Sequence, residues 1–436
     1  MPEKMPDRGP NTGQTCPNTG PKCPNSSGIF RLTVDMPGGF ADKPASMKQT
    51  AAPSLAFTLL LLGTTLGLAG TDLVLPAVPG LPDVLGGSAA MAQLVLAAFV
   101  AGGCVGLILF GELGARMDQR SLLVGSLIAY ALVSFGCALA PSLPSLVALR
   151  FLHGLAGSAA AVFAPGMIRA MFSEAKAVRA IGLMGSVESL VPALAPVAGV
   201  WLLAVSGWNG SFYVIAVLSL LVAALVQVQR HSLPVPPPTR GTGSYVRLLT
   251  SPIYLRYALT QAFTLGGLLI FVFGAPAMMT KALGADLDAF ILMQVVGIAF
   301  FIAGANTASR LAEMFGAERM ILLGTALSAL GLIGLAAYGA AGGSETLVVT
   351  ALFVPVNLGL GLRGPPGFFR AILASNGDDA RGAALVILFI LATTATGTAI
   401  AAPFVTLGLA PLASVAAAVS CLSVLLLVTL PKLQGS

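Results

Sequence analysis

A few ionisable and polar side chains in this sequence stand inside stretches that otherwise exclude charge. Asp72, in GTDLVLPAVPGL, closes an apolar run that begins near residue 54. Arg150 and His153 lie one turn apart in LRFLHGLAGSAA, Glu188 falls within GSVESLVPALAPVAG, and Arg363 within NLGLGLRGPPGFFR. Such groups suit one chemistry above others, the reversible binding of a proton. A low dielectric strengthens a carboxyl group's hold on its proton and a nearby guanidinium weakens it, so an acid between the two can exchange a proton near neutral pH.

Asp72 and Arg150 fit that description together. Asp72 is about eighteen residues into the first apolar run, roughly 27 Å along a helix, and Arg150 about six residues into the fourth, which runs the other way. The two therefore reach similar depth. They form either a proton-binding acid tuned by an arginine or a static ion pair between two helices. Glu188, near the middle of the fifth run, reads as a second protonation site, a contact for a cationic substrate or a neutral packing group. His153 relays protons, bonds substrate or is simply hydrogen-bonded. Arg363 faces a cavity, where it attracts an anion or pairs with Glu188, or else snorkels to the surface; the Gly and Pro around it are expected to break its helix. Gln261, Asn357 and Phe271 complete the candidate substrate contacts.

The elements that hold these residues follow from composition. The 436 residues are 56% hydrophobic and 9% charged, with a mean hydropathy of +0.91, against about 25% charged in soluble domains. This is an integral membrane protein. The net charge of +6 does not indicate nucleic acid, because the basic residues are scattered in ones and twos. The five cysteines have neither metal-site nor disulfide spacing. No phosphate loop, metal cluster or nucleophile–base pair is present, so neither a cofactor nor an enzyme is expected.

Apolar blocks long enough to cross a bilayer occupy roughly 54–79, 88–111, 121–140, 144–170, 178–205, 210–229, 257–280, 288–310, 320–340, 347–370, 382–404 and 409–430. Alternate connections collect the positive charge, including Arg116, Arg120, Lys176, Arg179, Arg230, Arg247, Arg319 and Arg381. The others hold essentially Lys281 beside Asp83, Asp286, Asp288 and Glu345. That asymmetry places both termini in the cytoplasm. Residues 1–50, rich in Pro, Gly and Asn, read as a disordered extension, with Met47 resembling a natural start. A proline-bearing linker at 230–256 divides the spans into bundles at 51–229 and 257–430, with a short tail at 431–436.

The chain resembles the major facilitator superfamily over about residues 50–430, and within it the Bcr/CflA-type drug:proton antiporters, including the chloramphenicol-exporter branch. TDLVLPAVP is similar to the helix-1 pattern, LRFLHGLAGSAA to the helix-4 pattern and GSVESLVPALAPVAG to the helix-5 antiporter motif. GELGARMDQRSLL occupies the place of the signature between helices 2 and 3. It keeps Gly111, Leu113, Arg116 and Arg120 but carries Ala115 in place of the acid and Asp118 in place of a glycine. In the family that acid locks the two halves at a helix end, so the resemblance leaves the latch in doubt, with Asp118 a possible substitute. Pro192, Pro196 and Gly199 are the bending and close-packing residues of the helix-5 motif.

The resemblance implies an all-α fold of twelve helices in two bundles and proton-coupled efflux of amphiphilic drugs or metabolites by alternating access. It also implies a monomer in the inner membrane whose partners are lipid, protons and a small molecule. A transporter of one specific nutrient is the nearest alternative. A non-transporting receptor or scaffold is disfavoured, because it gains nothing from the cost of intramembrane acids.

Overall fold

With no water in a bilayer to satisfy backbone groups, an apolar chain this long has to close its hydrogen bonds internally. The computed structural model does so with helices throughout and describes residues 53–234 and 243–433. Twelve helical spans follow one another. Spans 1–6 cover Ser54–Leu85, Ala89–Arg116, Gln119–Ala138, Leu143–Met171, Glu174–Ser206 and Gly210–Val228. Spans 7–12 cover Pro252–Ala282, Leu287–Phe315, Ala317–Ala340, Thr346–Ala374, Asp379–Leu407 and Leu409–Thr429. A short linker helix, Tyr245–Leu249, precedes span 7. The expected extension at 1–50, and Pro236–Pro238 of the linker, lie outside the described residues.

In the first half span 2 packs on span 4 and span 3 on spans 4 and 6; in the second, span 10 packs on spans 8 and 9, and span 12 on spans 7 and 9. The contact of spans 2 and 4 is backbone to backbone. A side chain at Gly102 or Gly106 would run into the carbonyls of Phe151 or Leu155, and one at Gly154 into that of Phe99. Small residues are what allow helices to approach so closely in a membrane.

The halves meet through spans 2 and 11, 4 and 11, and 5 and 8. Their apolar cores show where the meeting is tight. At the end carrying the linker, one cluster joins Phe163, Met167 and Ile181 of the first half to Phe369, Ala380 and Ala384 of the second. At the opposite end the cores are separate, one built around Val95, Tyr130 and Phe212, the other around Phe271, Phe353 and Leu412. The molecule is closed at its linker end.

Three spans of the first half are interrupted in mid-course. Span 1 stops being α-helical at Asp72 and continues as the 3-10 turn Leu75–Gly80. Span 4 divides at Ser158, and span 5 at Ser189–Leu190, where Pro192 opens the second segment. Span 10 corrects the expectation from its Gly and Pro residues: Thr346–Ala374 is one helix through Pro355, Pro365 and Pro366. Packing explains it. Gly359 and Gly361 lie against the backbones of Gly324 in span 9 and Phe301 in span 8, so this helix is held between the two spans.

Candidate functional site

The break in span 1 frees carbonyls that a continuing helix would have used, and in hydrocarbon each needs a donor. The neighbouring spans supply them. Arg150 Nη1 donates to the Gly70 carbonyl and Ser211 Oγ to that of Leu73, both at 2.9 Å; one turn earlier, inside the helix, Tyr130 Oη adds a bond to the Leu66 carbonyl at 3.1 Å. Gly199 in span 5 sits against the same Leu73 carbonyl, where a side chain would overlap it. Asp72 is the last α-helical residue before this capped break. It is half-buried, and no ion pair among the described residues includes it.

The expected Asp72–Arg150 pair is therefore not formed, and Arg150 works on the backbone instead. Its guanidinium is fully buried, donates from Nε to the Val95 carbonyl of span 2 at 3.2 Å, and lies 4.2 Å from the Phe99 ring centroid. His153 Nδ1 is 3.0 Å from Arg150 Nη1, and its ring stacks on Tyr130 at 4.1 Å. Arginine tolerates such a site because a delocalised cation is held by carbonyls and aromatic faces together. His153 has no exposed surface, so in this state it braces the bundle and touches no cavity.

Glu188 ends the first segment of span 5, half-buried, with the Thr64 hydroxyl of span 1 as its hydrogen-bonding neighbour. Two adjacent residues of span 5 just before it touch span 8: Ser186 accepts from Asn306 Nδ2 at 2.9 Å, and Gly185 faces Phe301. Both Asp72 and Glu188 thus occupy breaks in first-half helices.

Arg363 neither pairs with Glu188 nor snorkels. Fully buried, it turns into its own half and donates to the Thr260 carbonyl at 2.7 Å and the Thr260 hydroxyl at 3.2 Å. That carbonyl also accepts from Thr264 at 2.8 Å and Ser423 at 3.1 Å, knotting spans 7, 10 and 12 together. Gln261 Oε1 and the Arg363 guanidinium both lie against Gly367. Asn357 bonds back to the Phe353 carbonyl at 3.1 Å, and Phe271 packs on Phe353 in the second-half core. These candidates are enclosed within the bundle.

Ion pairs join the halves at the linker end, mostly through residues the sequence left unremarked. Glu112 accepts from Arg381 Nε of span 11 at 2.7 Å and also pairs with Arg116 one turn away. Arg169 Nε of span 4 meets Asp379 at 3.1 Å, and Arg370 of span 10 meets Glu174 at 2.8 Å. Asp378 is held by Arg381 at 2.7 Å and by Arg247 of the linker helix at 3.2 Å. Tyr245, also on the linker helix, donates to the Ile108 carbonyl of span 2 at 2.7 Å.

Asp118 does not substitute for the missing acid. It caps span 3 through the backbone N–H groups of Arg120 and Ser121 and pairs with Arg230 at the start of the linker at 2.6 Å, with no contact to the second half among these bonds. Partial burial opposes its ionisation, but hydrogen bonds from Ser121 and Arg230 prevail and hold Asp118 below the ordinary carboxylate value. Arg120 donates to the carbonyls of Leu233 and Pro234 at the start of the linker. Gly111 leaves room for Tyr245 and for Ala384 of span 11. Pro192 follows the break in span 5, and Pro196 lies inside the segment beyond it. Glu112 stands inside the quoted signature, but nothing in a single chain shows that it meets a residue 269 positions away.

Comparison with known proteins bears on this arrangement. The Major Facilitator Superfamily pattern matches residues 60–402. The chain is 30% identical over 255 residues to the uncharacterized MFS-type transporter YdgK of Bacillus subtilis (strain 168), covering 56% of this chain and 63% of that protein. It is 29% identical over 282 residues to a chloramphenicol resistance protein of Pseudomonas aeruginosa, covering 62% and 66%. The match spans just under two thirds of each of these relatives. A bicyclomycin resistance protein homolog of Haemophilus influenzae is 26% identical over 267 residues, 60% of this chain and 67% of that one. Among solved structures, the proton:xylose symporter XylE superposes with a TM-score of 0.68 at 15% identity over 85% of this chain and 94% of its own. FucP does so at 0.69 and 15% over 86% and 99%. At such identities the likeness establishes the fold. With twelve helical spans, two packed halves and a family match across most of them, the chain is a multi-pass membrane protein and belongs to the Major Facilitator Superfamily of transporters.

Proposed function

We propose that this protein exports amphiphilic drug-like molecules or metabolites in exchange for protons. What supports this most is Asp72, an acid at a helix break where the surrounding carbonyls have donors and its own carboxylate has no ion partner. An ionised group in that position costs several kcal/mol in a bilayer, a cost that a proton removes and a static structural role would not justify. Glu188 at the span 5 break is the second proton-binding group. The relatives named for chloramphenicol and bicyclomycin resistance support efflux as the direction.

The linker end faces the cytoplasm, as the basic residues gathered there support. Closed at that end, the molecule is poised to release substrate outward and take up a proton at Asp72. Protonation displaces substrate, the halves rock, and loss of the proton to the cytoplasm restores affinity for the next molecule. Each charge carried through the membrane potential contributes about 2.3 kcal/mol per 100 mV. The protein acts as a monomer in the inner membrane.

The test is expression in an efflux-deficient bacterium challenged with antibiotics and dyes, together with everted vesicles. The parent chain is expected to confer tolerance and to release protons from the vesicle lumen when substrate is added. Asp72→Asn is expected to abolish both and Glu188→Gln to weaken both. Proton exchange that survives both substitutions together would refute coupling through these acids.

A further inference from the structure

The ion pairs that join the halves at the linker end are not equivalent. Glu112 has Arg116 on its own helix, and Arg381 has Asp378 one turn away, so each charge keeps a partner inside its own half when the halves separate. Arg370–Glu174 joins a buried Arg370, 8% exposed, to a Glu174 side chain that is 51% exposed, and a pair whose acid stands in water contributes less. Arg169–Asp379 differs on both counts. Its side chains are 26% and 9% exposed, Arg169 has no second acid among the described residues, and Asp379 keeps only the Ser375 hydroxyl, at 3.2 Å. Separating this pair strands a largely buried carboxylate, the case in which loss of a partner is expensive.

The surrounding packing fixes the pair in place. Gly166, one turn before Arg169, leaves room for the Asp379 Cβ, and a side chain at Gly114 would meet Ala380 and Phe163. In this pair the acid, Asp379, comes from the start of span 11 and the base, Arg169, from span 4.

We infer that Arg169–Asp379 is the non-redundant latch of the linker-closed state, with the polarity of its charges reversed between the halves, and that Glu112–Arg381 is an exchangeable contact that opens at little cost. Arg169 and Asp379 are thus positioning residues for alternating access, and the inference rests on that reading of the function.

The experiment reads geometry without substrate or proton gradient. The five native cysteines are replaced by serine, and spin labels are placed on M117C and M314C. These exposed linker-end positions lie in opposite halves. Electron–electron distances are then recorded in lipid nanodiscs. D379N and R169M are each expected to raise the ratio of long to short distances about tenfold, and E112Q about twofold or less. E318Q, which loosens a pair confined to the second half, is expected to leave the distances unchanged. The latch assignment is overturned if D379N and R169M leave the distribution as it was, or if E112Q or E318Q moves it as far as they do. Absent transport with the expected distance shifts would count against efflux and not against the latch.

Discussion

The two halves meet the same difficulty, a buried arginine with no acid beside it, and answer it differently. In the first half Arg150 serves a helix that has come apart, taking the Gly70 carbonyl released where span 1 ends its α-helix. In the second, Arg363 reaches a helix that has stayed whole, and the Thr260 carbonyl it contacts already has Thr264 and Ser423 as donors. Mid-membrane breaks fall in spans 1, 4 and 5, while span 10 runs unbroken through two adjacent prolines. Proline alone thus does not decide where a membrane helix opens. At the span 1 break neighbouring spans bring donors to the freed carbonyls, and Asp72 and Glu188, neither of them ion-paired among the described residues, sit at the breaks of spans 1 and 5.

Transport should separate the halves most sharply. Asp72→Asn is expected to lower pH-driven efflux more than tenfold, as loss of a proton carrier would, while Arg363→Met retains at least about half of it, since that arginine is enclosed. Equal losses in everted vesicles would erase the distinction. Stability gives the next largest contrast. Arg150→Met leaves the Gly70 carbonyl without a donor and should cost about 2 kcal/mol, against about 1 kcal/mol for Arg363→Met, where other donors remain. A thermal unfolding series in detergent that ranks them the other way would show that the breaks are not held by Arg150.

On a smaller scale, Ser211→Ala should cost about 1 kcal/mol and Ser423→Ala a few tenths, because only the former removes a sole side-chain donor. The smallest effect belongs to Asp118. Its carboxyl is held low in the folded state, so its pairing with Arg230 stabilises the protein above the ordinary carboxylate range and is lost as the pH falls through it. With both side chains more than a third exposed, the difference between the parent and Asp118→Asn should stay under about 0.5 kcal/mol at neutral pH and vanish in acid.

The twelve spans were legible in the sequence because length and hydropathy suffice for a helix in a bilayer. The family likeness was legible in four motifs, and the importance of Asp72 in its isolation. What could not be read were partners. Depth arithmetic brought Asp72 and Arg150 level, yet it carries no information about rotation around the helix axes, and the guanidinium turns to the backbone. Counting Gly and Pro around Arg363 foretold a broken helix, because the packing against spans 8 and 9 does not appear in a local window. The family's signature directs attention to Ala115 and Asp118, whereas Arg169 and Asp379, which join the halves, carry no motif.

Spans 2 and 4 touch through Gly102, Gly106 and Gly154 with no side chain between their backbones, and Arg150 ties the Val95 carbonyl to the same seam. Two rods joined so closely cannot slide past one another without collision, so they travel as a single girder. Whatever Phe99 on one rod experiences as the molecule turns itself inside out, His153 on the other must share, and a probe fixed to either reports the displacement of both.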